Sequence, residues 1–214
     1  MPPMPLNDVA LTVVAVLLSY ILGSVPTGLW LGLRVRGVDI REHGSKNIGA
    51  TNTLRVLGKG LGAAALVGDA AKGVVPVLLI SRISPWDHAA LACGVAAIAG
   101  HLASVFLKFK GGKGVATSLG VFITLCPIPT AVAAVTFALV LGVTRMVSAG
   151  SISAAVAMTL AVFVLSHDLA TAPGHLLPPG PALKIMVAAI ALLVIVKHRT
   201  NIQRILQGKE SRLF

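Results

Sequence analysis

The sequence predicts an all-α integral membrane protein, a bundle of helices that crosses the bilayer several times. Three observations lead to this fold class: 56% of the 214 residues are hydrophobic, only 12% are charged, and the mean hydropathy is +0.90. A soluble domain of this size could not bury so much apolar surface. We therefore expect residues 1–214 to form a single membrane-embedded domain.

Seven apolar runs are candidates for transmembrane helices, which need roughly 20 apolar residues to cross the hydrocarbon core. The fourth and fifth runs are short, and only the turn Cys126-Pro127-Ile128-Pro129 separates them. Seven helices are the first interpretation, and five helices plus a re-entrant hairpin are the alternative. The runs lie at about residues 8–33, 61–81, 86–107, 114–126, 128–144, 147–166 and 182–198.

The first run contains the stretch Gly23-Ser24-Val25-Pro26-Thr27-Gly28. Proline inside a helix removes a hydrogen bond and kinks the chain. Small residues also let neighbouring helices approach closely. We expect a kink or a break at this point, with a role in packing.

The 18 Lys and Arg residues set the orientation of the helices. If the N-terminus lies outside, the outer segments hold only Arg82, and the outer loop at about 167–181 has no basic residue. Lys72 and Lys184 fall within spans. Basic residues are enriched in cytoplasmic loops, so the N-terminus is predicted to lie outside and the C-terminus in the cytoplasm. The inner segments then hold Arg34, Arg36, Arg41, Lys46, Arg55, Lys59, Lys108, Lys110, Lys113, Arg145, Lys197, Arg199, Arg204, Lys209 and Arg212.

Three of these inner segments mix glycine or asparagine with basic residues, a composition that favours anion binding. They are GSKNIGATN at 44–52, KFKGGKG at 108–114 and HRTNIQR at 198–204. Glycines let backbone N–H groups approach an oxyanion, and a helix N-terminus adds its positive dipole. Arg55 offers a two-pronged donor and Lys113 a point charge. Topology or lipid headgroups alone could explain any single basic residue, but they explain the set of three less well.

Other motifs are weaker. KFKGGKG does not match the nucleotide P-loop, because Gly114 follows Lys113 where that loop needs serine or threonine. Asp69 and Lys72, three residues apart in the second span, can pair on one helix face, either as a structural ion pair or as a wall of the active site. His101 is interpreted as a buried histidine. No residues have a convincing metal-ligand spacing, so no metal is expected.

The residues alone leave three function classes open. The first is an enzyme at the cytoplasmic interface, and the second is a transporter for an organic phosphate. The third is a scaffold that binds anionic lipids. A soluble nucleic-acid binder is disfavoured despite the net charge of +11, because the apolar fraction is too high.

The three basic segments in this order resemble the bacterial acyl-phosphate:glycerol-3-phosphate acyltransferase family, over almost the whole chain. The similar stretches are GSKNIGATNTLR, GDAAKG, KFKGGKGVAT, RMVSAGS and HRTNIQRILQGKE. Two departures are visible: Lys46 stands where a glycine is common, and Ala103-Ser104 replace a more usual aromatic-proline pair.

The resemblance implies transfer of a fatty acyl group from acyl phosphate to the 1-hydroxyl of glycerol 3-phosphate. The products are lysophosphatidate and phosphate, in the first step of phospholipid synthesis. It also implies a multi-pass protein of the bacterial cytoplasmic membrane with its active site on the cytoplasmic side. The expected partners are the two substrates and membrane lipids, with no cofactor and no nucleic acid.

The resemblance and the chemistry of the loops together suggest roles for individual residues. No protein base is convincing, so a phosphate oxygen of the substrate is expected to accept the proton of the attacking hydroxyl. Glycerol 3-phosphate is expected to bind Ser45, Arg55, Lys113, His198 and Asn201, with Ser148 and Ser151 as further candidates. The headgroup of acyl phosphate is expected to bind Asn47, Gly49, Ala50, Thr51 and Asn52.

Overall fold

The computed structural model describes residues 4–165 and 181–213, and within them the chain is helical without any strand. The predicted all-α class is confirmed. The Pro- and Gly-rich loop predicted at about 167–181 lies, except for Pro181, outside the described residues. The helices are α1 (Leu6–Ser24), α2 (Thr27–Leu31), α3 (Ala50–Leu57), α4 (Lys59–Leu78), α5 (Ala89–Leu102), α6 (Val115–Leu125), α7 (Pro127–Thr144), α8 (Val147–Val164), α9 (Pro181–Lys197) and α10 (Arg199–Leu206).

Five or six segments of the described residues are long and apolar enough to cross a membrane, rather than the seven predicted. The five are α1, α4 with the turn to Ile83, α5 with the turn to Leu107, α7 and α8. The sixth is α9 with α10, which are bent by 56° at their junction. The fourth predicted span, α6, has 11 residues. At 1.5 Å per residue it covers about 16 Å, which is half of the hydrocarbon core.

Residues 4–125 form one compact unit, which contains α1 to α6. Glycines bring its helices into close contact. A Cβ atom on Gly23 would collide with the carbonyl of Ala97, and one on Gly100 with the carbonyl of Tyr20, so α1 and α5 meet backbone to backbone. Gly120 approaches the carbonyl of Ala70 in the same way where α6 meets α4. Close packing of this kind is how helices associate in lipid.

The first apolar run is broken, as its proline predicted. α1 ends at Ser24, Val25 and Pro26 leave the helical conformation, and α2 starts at Thr27. Pro26 has no N–H group, so the helical hydrogen bond to Leu22 cannot form, and the N–H of Val25 donates to that carbonyl at 3.2 Å instead. α2 continues into a single π-helical turn at Gly32–Arg36.

The second compact unit contains α7 to α10. α7 and α8 pack along their length, and Gly150 of α8 lies against the ring and carbonyl of Phe137. α9 packs on α8, and the chain bends at His198 before α10. That residues 1–214 act as a single catalytic domain stays a prediction.

Candidate functional site

The GSKNIGATN loop is built around the side chain of Asn52, which is 1% exposed. Its Oδ1 accepts the N–H of Ser45 at 2.8 Å, and its Nδ2 donates to the carbonyls of Ile40 at 2.8 Å and His43 at 3.2 Å. One neutral amide thus closes the loop with three hydrogen bonds. Because the amide is buried and bonded to backbone, it shapes the loop from inside.

The loop ends at the first turn of α3. Gly49 precedes the helix in an extended conformation, and its N–H donates to Asn47 Oδ1 at 2.9 Å. Ala50 and Thr51 are the first helical residues, so their backbone lies at the positive end of the helix dipole. Arg55, one turn further along, is exposed. This arrangement of a helix N-terminus, hydroxyl and amide side chains and a nearby guanidinium suits an oxyanion.

Lys46 occupies a conformation that side chains avoid. Its φ is +58°, in the left-handed region, and the neighbouring Gly44 has the same φ. A Cβ at Gly44 would collide with Asn52 Oδ1, so glycine is required there. Lys46 takes the other left-handed position with a side chain. The departure noted in the sequence, lysine where glycine is common, therefore carries a conformational cost.

The KFKGGKG segment lies over the end of α5. The N–H of Gly112 donates to the carbonyl of His101 at 3.0 Å, and the N–H of Gly111 donates to the carbonyl of Leu102 at 3.2 Å. A Cβ on Gly111 or Gly112 would collide with His101, whose side chain is 4% exposed. The predicted burial of His101 is confirmed. Because these two glycines have no side chain, the backbone of the loop packs directly against His101.

Lys113 is half-buried at the end of this loop, two residues before α6. Gly114 has a φ of +81°, and its carbonyl accepts the N–H of Ser118 in the first turn of α6 at 2.8 Å. Lys108 and Phe109 also have positive φ values, and both are exposed. The loop thus places Lys113 immediately before a helix N-terminus, as the sequence predicted.

In the second unit, three side chains converge on one carboxylate. Glu210 Oε1 accepts hydrogen bonds from Ser148 Oγ at 2.7 Å and Asn201 Nδ2 at 2.6 Å. Glu210 Oε2 accepts from Arg204 Nε at 2.7 Å, and the glutamate side chain is 4% exposed. The carboxylate therefore joins the start of α8 to α10.

The environment of Glu210 favours its charged form. Burial raises the pKa of the carboxyl, but the hydrogen bonds from Ser148, Asn201 and Arg204 lower it by more, so the pKa lies below its ordinary value of 4.5. A group that accepts three hydrogen bonds when ionised loses them when protonated. The cluster is thus intact at neutral pH.

Two further predicted residues lie near this cluster. His198 is buried at the N-terminal end of α10, and its Nδ1 lies 2.7 Å from the carbonyl of Val194. Ser151 is buried one turn after Ser148, and its hydroxyl donates to the carbonyl of Val147 at 2.9 Å.

The structure thus groups the predicted site residues by segment. Ser45, Asn47, Gly49, Ala50, Thr51 and Asn52 share one loop, while Ser148 and Asn201 share the carboxylate of Glu210. Sequence reasoning assigned no role to Glu210. A signal was present, because it is the one carboxylate in a tail rich in Lys and Arg. Among the described residues, no group of three His, Cys, Asp or Glu side chains could hold a metal ion.

Comparisons with known proteins match nearly the entire chain. The family model described as glycerol-3-phosphate acyltransferase matches residues 13–208. A glycerol-3-phosphate acyltransferase of Geobacter sulfurreducens is 47% identical over 97% of this chain and 98% of its own. One of Desulforudis audaxviator is 50% identical over 95% of this chain and 96% of its own. The crystal structure of PlsY (YgiH), an integral membrane glycerol 3-phosphate acyltransferase, in its glycerol 3-phosphate form superposes with a TM-score of 0.82 at 35% identity, over 94% of each chain.

Proposed function

The chain belongs to the glycerol-3-phosphate acyltransferase family, and we propose that it transfers a fatty acyl group from acyl phosphate to the 1-hydroxyl of glycerol 3-phosphate. The products are 1-acylglycerol 3-phosphate and inorganic phosphate. Both substrates carry a phosphate, so the reaction needs two anion pockets. The family gives the acyl acceptor, and the choice of acyl phosphate as donor is our proposal.

The observation that supports this function best is the construction of the GSKNIGATN loop. Asn52 holds the loop from inside with neutral hydrogen bonds, so the loop gains its order without a carboxylate that would repel a phosphate. The loop ends at a helix N-terminus with Arg55 one turn away. A pre-formed donor array of this kind favours phosphate binding without reorganisation during the reaction.

We assign the phosphate of glycerol 3-phosphate to the basic groups. Arg55 provides a planar donor pair and Lys113 a point charge, and Ser45 adds a hydroxyl at the start of the loop. On the resemblance alone, His198 and Asn201 are also proposed to bind glycerol 3-phosphate. Ser148 and Ser151 are further candidates from the resemblance, with Ser148 held by Glu210.

We assign the phosphate of acyl phosphate to the loop at Asn47, Gly49, Ala50 and Thr51. The N–H groups of Ala50 and Thr51 are the proposed donors, while Asn47 and Gly49, whose N–H donates to Asn47 Oδ1, shape the turn before them. Asn52 supports this pocket through the loop rather than by direct contact, since its side chain is buried and bonded to Ser45, Ile40 and His43. A backbone pocket suits this headgroup because glycine and small residues let N–H groups approach the oxygens.

The reaction requires positioning more than a strong nucleophile, because acyl phosphate is an activated mixed anhydride. The hydroxyl oxygen attacks the acyl carbon, a carbon–oxygen ester bond forms, and the bond from that carbon to the phosphate oxygen breaks. Phosphate leaves with the electron pair, and a phosphate oxygen accepts the hydroxyl proton. Bound cations and N–H groups stabilise the charge that develops on the acyl oxygen and the leaving group.

We propose that the protein lies in the bacterial cytoplasmic membrane with its N-terminus outside and its C-terminus inside. The basic segments that carry the assigned residues then face the cytoplasm. A seven-helix topology with α6 as a short crossing and a topology with α6 and α7 as a re-entrant hairpin give the same orientation of the two ends. Reaction of single cysteines at Lys59 and Arg82 with an impermeant thiol reagent, in a background without Cys93 and Cys126, would test it. We expect labelling from the inside and the outside, respectively.

The test of function is phosphate release by the purified protein from palmitoyl phosphate, with and without glycerol 3-phosphate. We expect release that depends on glycerol 3-phosphate and lysophosphatidate in equal amount. Palmitoyl-CoA in place of palmitoyl phosphate serves as the matched donor and should give no product. Product from palmitoyl-CoA alone, or no transfer by a folded sample, would contradict the proposal.

A further inference from the structure

The break in the first apolar run leaves two backbone carbonyls away from the donors of a regular helix. In a continuous helix, the carbonyls of Ser24 and Val25 would accept from N–H groups four residues later, but the chain leaves the helix at Val25 and Pro26. Both carbonyls accept from side chains of distant segments, and the Val25 carbonyl also accepts the N–H of Thr27 at 3.0 Å. The break is therefore a point where remote parts of the first unit are tied together.

The first of these side chains is Lys72 of α4. Its Nζ donates to the carbonyl of Val25 at 2.7 Å and lies 2.9 Å from Asp69 Oδ1. The two charged side chains are 3% and 2% exposed. Asp69 compensates the buried charge, as the spacing in sequence predicted, and the ammonium group has donors to spare for the carbonyl. Lys72 thus ties the residue just before α2 to α4.

The second is Ser104, four residues before KFKGGKG. Its hydroxyl donates to the carbonyl of Ser24 at 2.5 Å, and Tyr20 Oη donates to the neighbouring carbonyl of Ala103 at 2.6 Å. Ser24 and Ser104 are each 1% exposed. The segment that leads into the Lys113 loop is thereby fixed to the end of α1.

α2 in turn touches the GSKNIGATN loop. A Cβ on Gly28 would collide with the carbonyl oxygen of Ile48 and with Thr53 Oγ1, so α2 lies directly against the backbone that precedes Gly49. A cavity of about 190 Å³ lies between the break and α4, lined in part by Leu22 and Lys72. Beside this cavity, Gly68 of α4 packs against the side chain of Thr27, and the bond from Lys72 to Val25 adds a polar tie between α4 and the start of α2.

We propose that Lys72 is a positioning residue for acyl transfer. It binds the Val25 carbonyl just before α2. Gly28 of α2 in turn packs against the carbonyl of Ile48, which precedes the backbone pocket at Gly49, Ala50 and Thr51. This inference rests on the proposed function, because it takes that pocket to receive the phosphate of the acyl donor. Asp69 has a different part, which is to stabilise the buried ammonium group. Ser104 has the corresponding role for the Lys113 loop, because its bond to the Ser24 carbonyl ties the segment before that loop to the end of α1.

Three variants separate these parts. Lys72→Met keeps the volume of the side chain and removes the donor, and Asp69→Asn/Lys72→Met removes the donor without leaving an unpaired carboxylate. Asp69→Asn alone keeps the N–H groups of Lys72 that reach Val25. Each is made in a Trp86→Phe background, where Trp30 of α2 is the single tryptophan and its emission reports its contact with Phe106, 5.4 Å away between ring centres.

We expect both Lys72 variants to raise the KM for palmitoyl phosphate at least about tenfold and to shift the Trp30 emission, because a displaced pocket loses charge-assisted hydrogen bonds to the donor phosphate. Asp69→Asn should lower the unfolding temperature and leave this KM within about twofold of the parent. Ser104→Ala should raise the KM for glycerol 3-phosphate more than that for palmitoyl phosphate.

Two results would overturn the inference. One is a folded double variant with the parent's KM for palmitoyl phosphate and the parent's Trp30 emission. The other is an Asp69→Asn variant whose KM for palmitoyl phosphate rises as much as that of Lys72→Met, because the effect would then belong to the ion pair and not to the bond with Val25. This second result tests the inference even if the double variant does not fold. If the parent protein transfers no acyl group while Lys72→Met still shifts Trp30, the proposed function fails and the role of Lys72 in holding α2 stands.

Discussion

Two parts of the molecule order a basic segment around one buried side chain, and they use opposite chemistry. In the first unit, the amide of Asn52 closes the GSKNIGATN loop with three hydrogen bonds to backbone. In the second, the carboxylate of Glu210 gathers Ser148, Asn201 and Arg204. The amide adds no charge, whereas the carboxylate neutralises the guanidinium that it binds.

The comparison indicates which basic side chains keep their positive charge available for a ligand. An amide at the centre of a loop leaves Arg55 and the N-terminus of α3 without a competing anion inside the loop. A carboxylate at the centre of a cluster binds Arg204, Ser148 and Asn201, so the charge of Arg204 is neutralised within the protein. We therefore expect the first unit to supply most of the charge that binds phosphate.

The largest effect should come from the charges of the first unit. Lys113→Ala and Arg55→Ala remove groups proposed to bind phosphate in a charge-assisted way, and each should lower kcat/KM for glycerol 3-phosphate by roughly 100-fold or more. Steady-state kinetics with palmitoyl phosphate in excess measures the loss.

Lys110→Ala is the matched control, because Lys110 is an exposed lysine of the same loop, and it should stay within about threefold of the parent. His101→Ala should cost less than either charge variant when folding is intact. An inactive His101 variant that is folded and keeps the parent's affinity for glycerol 3-phosphate would assign the proton transfer to a protein base.

The next effect should come from the amide itself. Asn52→Ala removes three hydrogen bonds, which at about 1 kcal/mol each amounts to roughly 3 kcal/mol for the loop. We expect the GSKNIGATN loop to open locally and kcat/KM to fall for both substrates. Proteolysis under native conditions, with the cleavage site identified by mass spectrometry, should show new cutting between residues 40 and 52.

Asn47→Ala is the comparison variant for this loop, because, among the described residues, the side chain of Asn47 accepts one hydrogen bond, from the N–H of Gly49. It should weaken the binding of palmitoyl phosphate without new cleavage. Equal proteolysis of the two variants would contradict the central place given to Asn52.

A smaller, pH-dependent effect is expected at Glu210. Hydrogen bonds hold its pKa below the ordinary 4.5, so its stabilising contribution is complete above that pH and is lost as the pH falls through the lower folded value. Glu210→Gln should lower stability at pH 7 by about 2 kcal/mol and reduce the loss of stability on acidification.

The stability of each variant is measured by thermal unfolding at several pH values. Unfolding is monitored by a thiol-specific dye that reacts with Cys93 and Cys126, which are buried in the folded protein. Glu42→Gln is the control, since this exposed glutamate lies outside the cluster. A Glu210→Gln variant that keeps the parent's unfolding temperature at pH 7 would contradict the structural role of the carboxylate.

The smallest effect is expected at Lys46, where a side chain occupies a left-handed conformation. Lys46→Gly removes that strain and should stabilise the loop by about 1 kcal/mol, offset in part by the greater freedom of glycine in the unfolded chain. Lys46→Ala removes the charge and keeps the strain. If the two variants have the same unfolding temperature, the charge and not the backbone decides the effect.

Much of the fold could be predicted from the sequence because lipid imposes simple rules. Runs of apolar residues predicted the helices, and Pro26 predicted the break in the first run. The bounds of α6 were predicted to within one residue at each end, but an apolar run of this length does not show whether it is a separate span, and the helix has 11 residues.

The candidate site was predictable only in part, and for a physical reason. Glycine, hydroxyl and basic residues in a loop indicate an anion site, so Ser45, Arg55 and Lys113 could be named. The long-range partners could not. Asn52 was expected to face the substrate and instead bonds backbone up to 12 residues away, and Glu210 meets Ser148 across 62 residues. The basic tail around Glu210 indicated that this carboxylate has a partner, but composition and spacing do not show which distant residues it or Asn52 contacts.

The measurement that tests the account most directly is equilibrium binding of radiolabelled glycerol 3-phosphate to the purified protein and to its Lys113→Gln and Arg204→Gln variants. The account predicts saturable binding by the parent, a loss of at least about tenfold in affinity for Lys113→Gln, and little change for Arg204→Gln, whose guanidinium is spent on Glu210. Full affinity in Lys113→Gln together with a large loss in Arg204→Gln would contradict it, and would move the phosphate site to the carboxylate cluster.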